Sequence, residues 1–473
     1  MQTSGPVNKD ELLGSLPDPW PANLAAKIRA AVQGSHRKLV VLDDDPTGTQ
    51  TVHGIPVLTE WSIPSLHDEL QRDLPAFYIL TNSRSLPPAE ARNLTAEIGK
   101  NLRTAAEKTG NRYAVVSRSD STLRGHFPEE MDALAGVLGQ PFDGWILCPF
   151  FQEGGRHTIA DVHWVQDADQ LIPAAETEFA KDAVFGYRSS HLPQWVEEKT
   201  SGRIRAADTI RISIEDIRRG GPERVKEILL AMAGQRVCVV NAADYRDLDV
   251  FVLGLLSAEA MGKIFLYRTA ASFVRARAGI SPRPLLSAAD LDLASTAGGL
   301  IIVGSYVPRT TRQLDVLVKS EDSIVREKVD VRLLLDASAR QRECERIAAR
   351  IDQTLQAGND TVVYTSRRYL SAADAAAILQ VGRTISSALT CILRQLRTRP
   401  RYLLAKGGIT ASDVATAGLG VRRAVVAGQI IAGVPVWRLG TESRYPGMPF
   451  IVFPGNVGDE SALLQVVRKL HFR

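Results

Sequence analysis

The stretch KLVVLDDDPTGTQTVHG, Lys38 to Gly54, decides how the chain is read. Leu39-Val40-Val41-Leu42 is an apolar run without polar alternation, the pattern of a short strand buried on both faces. Asp43, Asp44 and Asp45 follow at once, and then Pro46, Thr47 and Gly48, which favour a turn. Adjacent carboxylates repel one another, so each needs a reason to sit at a strand end: turn amides, substrate hydroxyls or a metal.

Similar runs recur outward from this point. AFYILT (76–81), YAVVS (113–117), GWILCPF (144–150), RVCVVNA (236–242) and KIFLY (263–267) continue the first half. Helical patterns lie between them, such as residues 87–110, which prolines open and Gly110 closes. Residues 275–290, RARAGISPRPLLSAAD, lack strong periodicity and suit a linker. Then come GGLIIVGS (298–305), DTVVYTS (360–366), RYLLAKGG (401–408), RRAVVAGQIIAG (422–433) and PFIVFPGN (449–456). The alternation predicts two α/β domains, residues 1–280 and 281–473, each with a mainly parallel sheet flanked by helices. The active site is expected in the cleft between them, with the linker permitting closure.

At 473 residues the chain has room for about two or three domains of ordinary size. Hydrophobic residues at 45% and charged residues at 23% are those of a globular protein, not a disordered one. The 57 basic and 53 acidic residues nearly cancel, and no basic block is interleaved with aromatics, which argues against a nucleic-acid partner. Cys148, Cys238, Cys344 and Cys391 are far apart, without CxxC or zinc spacing, so free thiols in a reducing compartment are expected. The start has no signal-peptide pattern, and no apolar run reaches the roughly 18 residues of a membrane span. The expectation is a cytoplasmic protein with no membrane partner.

In open α/β sheets ligands bind at the carboxyl ends of the strands. In the first domain those ends carry DDDPTGTQ, TNSRSL (81–86), SRSDSTLRGH (117–126) and PFFQEGGRH (149–157). Arg84, Arg118, Arg124 and Arg156 offer planar forks for a carboxylate or phosphate. Asp44, Asp45 and Asp120 could accept from substrate hydroxyls or hold a metal, so the lining suits a small polyhydroxylated acid. The second domain ends its strands in GSYVPRTTRQ (304–313), KGGITASDVA (406–415) and FPGNVGDE (453–460), whose exposed backbone N–H groups suit a nucleotide's phosphate chain. Neither GxxxxGK[ST] nor GxGxxG is present. The bland alternatives are plain turns for the glycines, surface positions for the arginines, an Asp120 that only partners Arg118 or Arg124, and packing roles for His53, His126, His157 and His163.

Two functional readings compete. Asp43-Asp44-Asp45-Pro46-Thr47 fits DxDxT, and ILTNS (79–83) resembles the second motif of haloacid dehalogenase-type phosphatases. Asp43 would then be the nucleophile and Asp45 the general acid, with Mg²⁺ between them. That reading finds no later lysine with a paired-acid loop and leaves the second domain without a task. In contrast, DDDPTGTQ, TNSRSL, SDSTLRG, KGGITASDVA and PGNVG, in this order, resemble the four-carbon acid sugar kinase family, formerly a domain of unknown function. The resemblance spans nearly the whole chain.

It implies an acid-sugar-binding N-terminal domain, an ATP-binding C-terminal domain, and transfer of the γ-phosphoryl group to the C4 hydroxyl of threonate, erythronate, 3-oxo-tetronate or a similar acid. By motif, Asp44, Asp45, Thr47, Gly48, Arg84, Arg118, Asp120, Ser121, Thr122 and Arg124 fall on the substrate side, with Gly125 beside them. Ser305, Gly407, Gly408, Ile409, Thr410, Gly455 and Asn456 fall on the nucleotide side. Asp120 or Asp45 would accept the hydroxyl proton, and ATP and Mg²⁺ are the implied cofactors. A homodimer is left open. Many family members carry an aromatic where this chain has Pro46 and a lysine where it has Arg118, and Asp43 is an added acid. These departures bear on substrate identity more than on reaction type.

Overall fold

A computed structural model describes residues 5–293, 295–305, 307–366 and 375–471. The chain divides into two compact units, Met1–Ile55 with Glu60–Pro282, and Pro56–Thr59 with Arg283–Arg473.

The first unit is built on parallel strands in the order Ile210–Ile212, Arg236–Val240, Gly144–Cys148, Phe265–Thr269, Arg112–Arg118, Arg37–Asp43 and Ala76–Leu80. Leu39 to Leu42 are all buried, as their unbroken apolarity requires of a strand covered on both faces. From Arg37–Asp43 the chain steps first to Ala76–Leu80 on one side and then to Arg112–Arg118 on the other. Such a reversal leaves a crevice outside the strand ends, and the three aspartates leave the sheet at that point. The 88–109 helix carries Pro88 in its first turn and ends on Gly110, whose positive φ (71°) lets its N–H bond Ala106 O at 2.8 Å.

Two features of this unit depart from the sequence reading. Residues 275–277 are not linker: they close the Ala271–Arg277 helix, and Arg277 is buried against Glu259 at 2.5 Å. A separate antiparallel sheet joins Val7–Asn8, Gln170–Pro173, Val162–Asp167 and Arg156–Ile159. Its first hairpin turns on Ala160 and Asp161, both at positive φ (51° and 63°), a geometry usually signalled by Asn-Gly or Asp-Gly. Here no glycine marks it.

The second unit orders its strands Pro56–Leu58, Arg423–Ile431, Val434–Leu439, Pro449–Phe453, Leu403–Lys406, Leu300–Val303, Thr361–Thr365 and Val325–Val329. The pairings from Pro56–Leu58 through Pro449–Phe453 are antiparallel and the rest parallel. Its core packs Ile301, Val303, Leu404, Ile451 and Phe453 against Leu463 and Val467 of the Ala462–Leu470 helix. The chain runs from Leu300–Val303 to strands on one side before returning to Leu403–Lys406 on the other, so a second reversal point lies between these two strands.

Candidate active site

The turn after the first strand is set by Asp45. Its backbone is extended, its Oδ1 accepts the Thr47 N–H at 2.8 Å, and Pro46 fills the position that needs no N–H, giving the Pro46–Thr49 turn. Gly48 is fixed by close approach: a Cβ there would collide with the Asp43 carboxylate and lie 2.5 Å from Arg118 Cζ. The backbone therefore passes directly over an ion pair.

The three aspartates are not equivalent. Asp43 is buried, and its Oδ1 accepts from Arg118 Nη1 at 2.9 Å and from the Asp45 N–H at 3.3 Å. Asp44, also buried, accepts the Ser119 hydroxyl at 2.6 Å and Arg118 Nη1 at 3.5 Å. Asp45 is partly open and pairs through Oδ2 with Arg84, whose Nη1 lies 3.5 Å from Asp120 Oδ1. Asp120 Oδ2 accepts from Arg124 Nε at 2.7 Å and from the Thr122 hydroxyl. Arg124 reaches Asp182 at 3.8 Å and lies 5.0 Å over the Phe179 ring. Asp44, Asp45, Thr47, Gly48, Arg84, Arg118, Asp120, Thr122 and Arg124 thus form one network at the strand ends.

The charges split accordingly. Burial, reinforced by Asp44 and Asp45 and only partly offset by Arg118, pushes the Asp43 carboxyl up to about 7. Burial likewise raises Asp44 against the pull of Arg84 and Arg118. At Asp45 burial acts upward, but Arg84 and the Thr47 hydrogen bonds outweigh it and hold the group below its ordinary value. At Asp120 burial is again outweighed, by Arg124, Arg84 and the bonds from Arg124 and Thr122, leaving it well below the usual carboxylate range. Arg84 is held well above its ordinary value, since Asp44, Asp45 and Asp120 overcome its burial. Asp45 and Asp120 are ionised acceptors at neutral pH, whereas Asp43 keeps its proton well above the ordinary carboxylate range.

A layer behind these groups was missed by sequence reasoning. Arg268, buried in the strand Phe265–Thr269, donates to Ser119 Oγ (2.7 Å), Ser117 Oγ (2.8 Å) and Glu130 Oε2 (2.7 Å). Glu130 also accepts from Ser83 Oγ at 2.6 Å. The one available signal was an arginine directly after an apolar strand run. The 119–126 loop is held from the antiparallel sheet as well. His163 Nε2 donates to the Ser121 carbonyl at 2.7 Å, which makes Nδ1 the acceptor for the Thr158 hydroxyl at 3.0 Å. The Tyr187 hydroxyl donates to the Thr122 carbonyl at 2.9 Å. Ser121 is engaged through its own backbone carbonyl, by His163. Burial pushes His163 down to about 4, so it stays neutral.

In the second unit the sequence-derived residues meet at the ends of Leu300–Val303, Leu403–Lys406 and Pro449–Phe453. Gly407 adopts φ +117°, ψ 140°, a backbone open in practice to glycine, and its N–H bonds Phe453 O at 2.8 Å. A Cβ on Gly407 would lie 2.8 Å from Ser305 Cβ, and one on Gly455 3.4 Å from Ser305 Oγ. These glycines leave a cradle that side chains would fill. Gly408 opens the short Gly408–Asp413 helix, Ile409 is 57% exposed, and the Thr410 side chain packs against Gly304. Thr310 Oγ1 donates to Gly455 O at 3.2 Å, and Arg309 Nη1 to the carbonyl of exposed Asn456 at 2.8 Å. The three loops are thereby stitched together, and the donor set fits phosphate oxygens.

The metal test gives a different answer. Among the described residues no three His, Cys, Asp or Glu side chains group to hold a metal. Asp43, Asp44, Asp45 and Asp120 are each engaged by guanidinium groups. The described carboxylates do not form a Mg²⁺ cage, and Asp43 and Asp45 are each held by an arginine, so the phosphatase arrangement of these two about a metal is not supported. Asp43 also lacks the open face a nucleophile needs.

Comparison with known proteins agrees with this geometry. Residues 39–277 match the model of a sugar-binding N-terminal domain, and residues 300–463 that of a nucleotide-binding C-terminal domain. A D-erythronate kinase of Heliobacterium modesticaldum is 27% identical over 331 residues, 66% of this chain and 67% of that protein. A D-threonate kinase of Cupriavidus necator is 26% identical over 424 residues, 86% of this chain and 90% of that one. Among solved structures, a Salmonella typhimurium LT2 protein described as a tRNA synthase has TM-score 0.66 at 18% identity, over 91% of this chain and 99% of that one. A Haemophilus influenzae protein has TM-score 0.59 at 18% identity, over 91% and 100%. At that identity the structural likeness speaks to fold alone. The fold and the paired domain matches define a two-domain sugar-binding and nucleotide-binding protein. More specifically, the chain belongs to the four-carbon acid sugar kinase family, and the phosphatase reading is set aside.

Proposed function

We propose that this protein is an ATP-dependent kinase that phosphorylates the terminal hydroxyl of a four-carbon sugar acid of the threonate or erythronate type. The observation that carries the reading is the Arg84 bridge between Asp45 and Asp120, two ionised carboxylates at one strand-end crevice beside buried Asp44. Polyol hydroxyls donate to such acceptors, and Arg84, Arg118 and Arg124 keep the cluster from repelling an anionic substrate. Asp120 is the proposed proton acceptor. Its Oδ2 is occupied by Arg124 and Thr122, whereas Oδ1 is held only loosely, at 3.5 Å, by Arg84. An acceptor well below the ordinary range suffices, because phosphoryl transfer depends on alignment and charge neutralisation more than on early proton removal.

On the nucleotide side the backbone around Gly407, Gly408 and Gly455, with Ser305 and Thr410, would receive the phosphates. Mg²⁺ would arrive on the phosphate oxygens, supplying charge neutralisation there. The test is ADP release measured against a panel of four-carbon sugar acids, with Asp45→Asn and Gly408→Val as controls. Stimulation by at least one acid, lost in both variants, is expected. No stimulation by any acid, together with phosphate release from sugar phosphates without nucleotide, would overturn the proposal.

A further inference from the structure

Lys406 ends the Leu403–Lys406 strand and immediately precedes Gly407. It is fully buried, and among the described residues no carboxylate pairs with it. Its ammonium donates to Pro454 O at 2.5 Å, reaches Gly455 O at 3.5 Å, and lies 3.9 Å from the Phe453 ring centroid. Its backbone joins the same junction, since Lys406 O accepts the Ser305 N–H at 3.3 Å. Carbonyls and a ring face orient an ammonium without cancelling its charge, and a buried uncompensated charge is expensive. This one lies where the three glycine-bearing loops converge.

We propose that Lys406 is a positioning residue of the nucleotide site: it ties the Pro454–Gly455 turn to the Gly407–Gly408 turn, and nucleotide phosphates complete its charge, so that binding takes up a proton. The inference rests on the nucleotide reading of this unit and adds to it a specific protonation event. Burial, assisted by Arg309, lowers the Lys406 ammonium to about 6, so that it is mostly neutral at pH 7 before a ligand binds. The flanking strands Leu300–Val303 and Pro449–Phe453 carry no titratable side chain, and Asp413 on the following helix is engaged by Ser386. Arg309, on the Pro308–Ser320 helix, is therefore the charged group that opposes protonation.

The experiment is calorimetric titration of the whole protein with Mg·ADP at pH 7.5, in buffers of different ionisation enthalpy, for wild type and Lys406→Met. Wild type is expected to take up close to one proton, and its affinity to fall by up to about tenfold per pH unit between pH 7 and 8.5. Lys406→Met should bind about tenfold or more weakly, without the uptake. Binding without proton uptake, or uptake that persists in Lys406→Met, overturns the assignment while leaving the nucleotide reading intact. If the variant does not fold, the wild-type slope decides, and a flat affinity from pH 7 to 8.5 refutes it. Failure of wild type to bind Mg·ADP at all would overturn the nucleotide reading and this inference together.

Discussion

Replacing Arg118 by methionine removes the guanidinium that lies 2.9 Å from Asp43 and 3.5 Å from Asp44, while keeping most of the apolar stem. Both carboxylates are buried, at 1% and 3% exposure, so water cannot replace the lost partner. Breaking a buried pair in this way costs about 3–5 kcal/mol. The pH dependence carries more information than the size. Asp43 has its native pKa raised to about 7, so its contribution to stability is present at low pH and lost as pH climbs toward and through 7. Without Arg118 the native pKa rises further, and the variant holds its proton at pH values where wild type has released it. The difference in stability between the two should therefore grow by about 1.4 kcal/mol per pH unit above 7, or about 2 kcal/mol between pH 6.5 and 8.5. Urea unfolding of both proteins at pH 6.5, 7.5 and 8.5, followed by circular dichroism, measures it, and Arg118→Lys should show a much flatter difference. A stability gap that stays constant across this range, or a loss below about 1 kcal/mol, would refute the electrostatic account.

Three further outcomes are expected. Asp120→Asn should lower kcat by about 10²- to 10⁴-fold with Mg·ADP affinity unchanged, and a loss under about fivefold in steady-state assays would exclude Asp120 as proton acceptor. Gly407→Val, forced to φ +117°, should raise the Mg·ADP dissociation constant by about a hundredfold or more; tight binding by a folded variant would show that the cradle lies elsewhere. His163 is lowered in the native state to about 4, so wild type should lose stability as pH falls from about 6.5 toward 4. His163→Gln removes that loss, worth about 2.5 kcal/mol at pH 4.5, and equal pH dependence of the two proteins in urea titrations would contradict the assignment.

What the sequence disclosed was whatever is local. The apolar run at Leu39–Leu42, the Asp45-Pro46 turn and the Pro88 and Gly110 helix limits depend on neighbours within a few positions, and all were legible. The partner of Asp43 was not, because Arg118 is 75 residues away and reaches it only once the two strands pair. The DxDxT spacing was satisfied while its chemistry was excluded by that distant arginine. Arg268 escaped for the same reason: the pairing of Arg268 with Ser117 places it behind Asp44, and strand register is not written in either strand alone. Lys406 was quoted within its motif, but its complete burial is a property of the packed second unit.

Pro56–Leu58 lies in the first third of the chain, yet pairs with Arg423–Val425 as the outermost strand of the second unit. A polypeptide beginning at Arg283 would contain every described residue of the nucleotide cradle and still be incomplete. It would expose the backbone edge of Arg423–Val425, at the start of the strand Arg423–Ile431, and an unpaired strand edge recruits other chains. The halves are consequently not exchangeable modules that recombination could join at residue 282. Transplanting the nucleotide-binding half onto another partner would require carrying this three-residue strand along with it.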